Sequence, residues 1–140
     1  RTQVFAKSLP MIYVEVLKKT LQMVRNGDQL RKKMFDNANK LKKGLQELGY
    51  LIGGGASPIT PVYVPAGDLD IAMTLIKRLR ELGIFITGVM YPVVPKGIIL
   101  FRMIPTASHT DQEIHETVDA FARVRDELKL DLDAAQQAMA

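Results

Sequence analysis

One charge interrupts the apolar run Gly97-Ile98-Ile99-Leu100-Phe101-Arg102-Met103-Ile104. The run is rich in β-branched and aromatic residues, opens on Gly97 and is followed by Pro105, a composition that predicts a strand. Apart from Arg102 both faces of that strand are apolar, the pattern of a buried strand. A guanidinium placed there without a partner loses its hydration and gains nothing in return. It pairs with a carboxylate of this protein or receives one from a ligand. In the first case Arg102 is a rim residue bonded to a local Asp or Glu. In the second it is a planar fork that grips a ligand carboxylate through two parallel hydrogen bonds. The residue types alone leave both open.

The groups that follow Arg102 could complete such a site. His109 directly precedes Thr110-Asp111-Gln112-Glu113, a capping box that opens a helix. A helix N-terminus disfavours an imidazolium. His109 is therefore a neutral hydrogen-bonding ring beside a ligand or, more commonly for such a residue, a side chain that orders its turn. Pro105-Thr106-Ala107-Ser108 sets hydroxyls and backbone donors near the end of the strand, and Ser57-Pro58-Ile59-Thr60-Pro61 could do so from another side. Each is also ordinary loop chemistry. Ser57, Thr60, Thr106 and His109 are thus the candidate site-lining residues, with Arg102 the candidate binder. His115 falls one turn into the helix, facing solvent. Gly53-Gly54-Gly55 invites a phosphate-loop reading, but no helix follows it and Pro58 and Pro61 come soon after, so it reads as a turn. No Ser-His-Asp or Cys-His arrangement and no carboxylate pair stands out.

The elements that must position these groups can be read from periodicity. A first helix runs from Leu9 to about Arg25 with Pro10 in its first turn, and Asn26-Gly27 ends it. Asp28 caps a second helix reaching about Leu48, with Leu30, Met34, Ala38, Leu41, Leu45 and Leu48 at helical spacing. Tyr50-Leu51-Ile52 and Pro61-Val62-Tyr63-Val64 predict short strands, the second an edge strand because of its prolines. Asp68 caps a third helix that Gly83 terminates. Ile84 to Val89 predicts another strand, the Pro-containing segment Tyr91 to Lys96 a loop, and the last helix carries Ile114, Val118, Phe121 and Leu128 on one face. The order α-α-β-β-α-β-β-α gives an α+β fold, a small mixed or antiparallel sheet with helices packed on one face. The tail from Asp131 has little to bury and is expected to fray.

At 140 residues the chain is a single domain by length, with 47% hydrophobic and 24% charged residues. No apolar stretch approaches the roughly 18 residues of a membrane span. There are no cysteines for disulfides or thiolate metal sites, and His109 and His115 are too few for a histidine metal cluster. Net charge is +4, and much of the excess falls in Lys18-Lys19, Arg31-Lys32-Lys33, Lys40 and Lys42-Lys43. These positions lie opposite the apolar stripes and read as solvated helix faces. A weaker reading makes them a docking surface for nucleic acid or membrane, but no aromatic residues are interleaved for stacking. Met11, Ile12, Tyr13, Val14, Val16 and Leu17 make the first helix apolar nearly all round. Such a helix needs cover on more than one side, which predicts another domain or a second subunit against it.

The stretch from Tyr91-Pro92-Val93-Val94-Pro95-Lys96-Gly97 through Arg102 to Thr106-Ala107-Ser108-His109-Thr110 resembles the C-terminal domain of the α-oxoamine synthases. These are fold-type I enzymes dependent on pyridoxal 5′-phosphate, such as glycine C-acetyltransferase, 8-amino-7-oxononanoate synthase, 5-aminolevulinate synthase and serine palmitoyltransferase. Phe5-Ala6-Lys7-Ser8-Leu9-Pro10 and Ser57-Pro58-Ile59-Thr60-Pro61-Val62 resemble two further segments of that family, in register, so the likeness spans residues 1 to about 130. The Tyr-Pro-x-x-Pro-Lys-Gly run leans toward the bacterial serine palmitoyltransferase-like branch.

The resemblance implies that Arg102 binds the α-carboxylate of an amino-acid substrate, and that the parent condenses an amino acid with an acyl-CoA, losing CoA and carbon dioxide. It implies a cytoplasmic homodimer with no nucleic-acid partner and at most a peripheral association with membrane. Where the family has a Ser or Thr for the cofactor phosphate of the neighbouring subunit, this chain has Ala6 and Lys7; Lys7 or Ser8 would have to substitute. No lysine here occupies the family's Schiff-base motif, so the chain resembles a C-terminal piece, inactive alone and without covalently bound cofactor. On that reading residues 1–27 are a long helix linking to a missing cofactor domain, 28–130 the small domain and 131–140 a frayed tail. The resemblance does not choose among glycine, serine and alanine, or the acyl chain. The rival reading is a free-standing α+β module that binds a small carboxylate. It predicts Arg102 sealed in an internal salt bridge, whereas the enzyme reading predicts Arg102 open at a cleft edge.

Overall fold

The computed structural model describes residues 8–132. Helix α1 covers Met11–Arg25 and α2 Asp28–Glu47. Strand β1 is Thr60–Tyr63, followed by a 3-10 turn at Pro65–Gly67, helix α3 at Leu69–Glu81, β2 at Gly88–Val89, β3 at Leu100–Met103 and α4 at Asp111–Leu128. The strands form one antiparallel sheet in the order β1-β3-β2. The architecture is the α+β layer that the alternation of elements predicts.

Strand register decides which residues meet the helices. Thr60 lies opposite Met103 and Val62 opposite Phe101, while Pro61 lies opposite Arg102. Directly paired residues share a face of the sheet. Thr60, Val62, Phe101 and Met103 are all buried, so this face carries the helices. Leu41 and Leu45 of α2, Leu75 and Leu79 of α3, and Ile114, Phe121 and Val124 of α4 join it in one core. The Tyr50 ring meets Phe121 edge-on, with centroids 5.3 Å apart, and the Tyr50 hydroxyl donates to the Phe121 carbonyl at 3.1 Å.

Helix ends follow their capping chemistry at α3 and α4 but not at α2, where Gly27 takes the cap position, Asp28 is already helical and no side chain caps the end. The Asp68 carboxylate accepts from the Asp70 and Ile71 amides at the start of α3. Thr110 and Glu113 close a full capping box on α4. A Cβ on Gly67, whose φ is +59°, would meet the Gly97 carbonyl oxygen at 1.9 Å, so only glycine lets the turn after β1 lie against the loop before β3.

Two expected strands are shorter than their sequences suggest. Tyr50-Leu51-Ile52 reduces to a bridge between Ile52 and Val62. The Tyr63 amide reaches the Leu51 carbonyl at 2.9 Å, but Pro61 has no amide with which to extend the ladder. In the Ile84–Val89 run only Gly88–Val89 is strand. The Ile84 amide is committed to the Leu79 carbonyl at the end of α3 at 2.8 Å, and the register brings Pro105, again without an amide, opposite this end of the run. The third correction concerns β3. It is not buried on both faces: Phe101 and Met103 point into the core, Leu100 is half-buried and Arg102 is exposed.

Helix α1 buries none of its residues, and Met11 and Ile12 are each 71% exposed. Its apolar surface finds no cover among the described residues. No helix among them is long and apolar enough to cross a membrane.

Candidate functional site

The alternation of β3 puts Arg102 outward between two buried neighbours. Its backbone amide donates to the Thr87 carbonyl at 3.0 Å, which continues the β2–β3 ladder by one bond and fixes the strand beneath it. Among the described residues the guanidinium makes no ion pair and no side-chain hydrogen bond. The rim reading requires a local carboxylate; among the described residues none bonds it, and the fork stays exposed and available.

Arg102 lines a cavity of about 630 Å³ between the end of β3, the 82–87 segment and the start of α4. Thr87, His109 and Thr117 supply further polar groups and Glu113 and Glu116 two carboxylates, with Leu41, Ile86, Met103 and Ile114 an apolar lining. Phe85, 76% exposed, and Ile104 stand at its edge. Arg102 and Met103 alternate across the strand, so the guanidinium and the apolar lining lie on opposite sides of β3 where it ends at the cavity.

His109 does both things that its position allows. Its Nδ1 accepts from the Thr106 amide at 2.9 Å and lies 3.0 Å from the Thr106 hydroxyl. An amide donor at Nδ1 requires that nitrogen to be unprotonated, so in this geometry the ring carries its proton on Nε2. The ring orders the 106–109 turn and also lines the cavity. Thr106 is exposed, and its hydroxyl accepts from the Ser108 amide at 3.3 Å. It supports His109 rather than lining the cavity.

The remaining sequence candidates are not brought together with Arg102. Ser57 is exposed, its hydroxyl accepts from the Ile59 amide at 3.1 Å and its carbonyl from Lys42 at 2.6 Å. Thr60 is fully buried on the helix-covered face, opposite to that of Arg102. Both stand apart from the cavity lining. Ser8 is exposed ahead of α1, and Lys7 lies outside the described residues. His115 is exposed on α4.

Two neighbours of the site are not evident from motif reading. Thr87 hides in an apolar run. Asn37 is fully buried, and its Nδ2 donates to the carbonyls of Thr106 at 2.9 Å and His109 at 2.8 Å. The signal for Asn37 was present, because it falls on the apolar stripe of α2 beside Met34, Ala38 and Leu41. A buried amide costs about 1–3 kcal/mol unless its hydrogen bonds are made.

The basic residues of α2 are only partly a solvated face. Lys33 and Lys40 both reach Asp111, at 2.6 and 2.9 Å, and pin the first residue of α4 to α2. The Lys33 ammonium first, then that of Lys40, holds the Asp111 carboxyl down at about 2. A carboxyl whose folded value is depressed stabilises the fold above its unfolded value near 4, and that contribution is lost as pH falls toward 2. Urea denaturation between pH 5 and 2 should therefore show the stability of Asp111→Asn falling less steeply than that of the wild type. Parallel profiles would mean that the three charges do not interact in solution.

The described residues do not by themselves fit pyridoxal 5′-phosphate. No lysine lines the cavity, so none stands ready there to carry the cofactor. Nor do the described residues hold a cluster suited to a metal ion.

Residues 1–121 match the family described as aminotransferase class I and II. The chain is 47% identical over 130 residues to a cysteate-C-fatty acyltransferase of Capnocytophaga ochracea, covering 92% of this chain and 31% of that protein. It is 37% identical to an 8-amino-7-oxononanoate synthase of Exiguobacterium sibiricum, covering 93% and 33%. Its fold superposes on a serine palmitoyltransferase of Sphingomonas wittichii with a TM-score of 0.76 at 25% identity, covering 89% and 31%. The chain thus spans about a third of the length of the curated relatives it matches.

Proposed function

The chain belongs to the class I and II aminotransferase family, in its α-oxoamine synthase branch, and from that premise we propose that it forms the carboxylate-gripping domain of a pyridoxal-phosphate-dependent C-acyltransferase. The observation that carries the reading is the open guanidinium of Arg102 at a cavity edge, without a partner among the described residues. The free-standing module predicts the opposite arrangement, a sealed ion pair.

In this reading an amino acid and an acyl-CoA combine. A carbon–carbon bond forms between the α-carbon and the acyl carbonyl carbon, the α-carboxylate leaves as carbon dioxide, and the thiol of CoA is released. The cofactor, held by parts of the parent outside the described residues, supplies the electron sink that such carbanion chemistry needs. Arg102 orients the amino acid by its carboxylate, which restricts the geometry in which its α-carbon is presented. The relative named for cysteate adds that amino acid to glycine, serine and alanine as candidate substrates, and its name makes a fatty acyl group the candidate donor.

The exposed apolar α1 supports the remaining part of the reading. Residues 1–27 lead from the cofactor domain, 28–130 form the small domain, and the parent or its second subunit in a cytoplasmic homodimer covers the helix. Lys7 and Ser8, near that junction, are the candidates in this chain for the cofactor phosphate of the neighbouring subunit.

The test is an assay of the complete polypeptide supplied with pyridoxal 5′-phosphate, each of the four amino acids and a fatty acyl-CoA. The expected result is equimolar release of free thiol and carbon dioxide with one preferred amino acid. Thiol release without carbon dioxide, or with no need for the amino acid, would contradict it.

A further inference from the structure

We infer that Asn37, on helix α2, is a positioning residue for this site: it holds the 106–109 turn so that His109 presents Nε2–H to the ligand bound by Arg102. The inference rests on the acyltransferase reading for its ligand but on geometry for its mechanism. Both partners of the Asn37 amide are carbonyl oxygens, Thr106 at 2.9 Å and His109 at 2.8 Å, so its NH₂ group must face the turn. The two carbonyls stand at opposite ends of that turn. The turn's own backbone bond, from the His109 amide to the Thr106 carbonyl, is long at 3.4 Å. The side chain of α2 therefore does more than the backbone to hold the ends together.

Asn37 is satisfied on one side only. It is fully buried, and among the described residues its Oδ1 has no hydrogen-bond partner. An apolar residue of similar volume would remove that orphan but would take the donor from the Thr106 and His109 carbonyls, so the amide's net contribution to stability is small against what it orders. What the amide does supply is direction. It restrains the turn whose Thr106 amide, in turn, holds the His109 ring through Nδ1 at 2.9 Å. Nδ1 is thereby occupied, and Nε2 is the ring nitrogen left for a ligand in the cavity that His109 shares with Arg102. Lys33 and Lys40 flank Asn37 on the same face of α2 and grip Asp111, so the whole approach to α4 is fastened to that one helix face. None of these groups needs to touch substrate.

The experiment compares wild type, Asn37→Leu and Arg102→Ala in the complete enzyme. It reads the KM for the amino acid, the melting temperature and the tautomer of His109 from its ring ¹⁵N shifts. Asn37→Leu is expected to raise KM on the order of tenfold and to lose the fixed Nε2–H tautomer, whatever its melting temperature; small misplacements of a positioned group commonly cost up to about 100-fold. An unchanged KM with an unchanged tautomer overturns the inference. So does a KM effect that comes only with a lowered melting temperature and an intact tautomer. Should the leucine fail to fold, Asn37→Ser removes the same two donors with less bulk and is read identically. If Arg102→Ala leaves KM unchanged, the acyltransferase reading fails, whatever Asn37 does. If only Asn37→Leu is silent, the positioning role fails alone.

Discussion

Replacing Arg102 with alanine in the complete enzyme is expected to weaken the amino acid's apparent affinity by on the order of 100-fold or more while leaving the fold intact. Removing one partner of a desolvated, hydrogen-bonded charge pair costs about 2–5 kcal/mol. The bound carboxylate would then be left without a counter-charge. Stability should barely move. The guanidinium has no side-chain hydrogen bond or ion pair among the described residues, and surface substitutions away from such contacts stay within about 0.5 kcal/mol. The KM for the acyl-CoA should be nearly unchanged. Arg102→Lys should recover only part of the loss, because an ammonium does not offer two parallel donors. Steady-state kinetics with each substrate varied in turn, alongside thermal melts, separates these expectations. A fall in kcat with both KM values unchanged would count against a ground-state grip.

Phe121→Ala is expected to act in the opposite way, with a large loss of stability and no specific effect on the amino acid. Phe121 is fully buried, packs edge-on against Tyr50 and sits where α4 meets the rest of the core. Truncating a buried phenylalanine costs about 3–5 kcal/mol, because the lost transfer energy is joined by the cavity left behind. A typical domain has about 5–15 kcal/mol in all. Chemical denaturation of the complete protein should show this domain's transition at markedly lower urea. The Tyr50 hydroxyl bonds the backbone carbonyl of Phe121, so that bond can survive the truncation and the loss reports on packing. A cost below about 1 kcal/mol would mean that neighbouring side chains collapse into the space.

The helices were legible because their information is local. Apolar spacing, Asp68 as a cap and the Thr110–Glu113 box set their ends in the sequence, and the structure places them within a residue or two. The strands were less legible because their lengths depend on partners. Pro61 and Pro105 are visible in the chain, but which ladder each would interrupt follows only from the register. The same dependence explains β3. Its composition suggested a strand buried on both faces, yet one face carries no helix, and Arg102 could sit outward without cost.

The candidate site was readable in part. Arg102 and His109 stand in one motif, and the fold brings both to one cavity. Ser57 and Thr60 offer hydroxyls in a similar setting, but Thr60 pairs with Met103 and so shares its buried face. Asn37 lies far along the chain from the turn it holds, and nothing in the motif pointed to it. The exposed α1 matches its over-apolar sequence, a case where composition alone foretold a surface the described residues leave uncovered.

The most direct test of the central claim is a binding cycle between Arg102 and the ligand's carboxylate. Calorimetry on the complete enzyme would compare wild type and Arg102→Ala, each with the preferred amino acid and with the amine that lacks its carboxylate. The account predicts that the substitution weakens the amino acid on the order of 100-fold and leaves the amine's affinity unchanged. An equal loss for both ligands, or no loss for either, would contradict it.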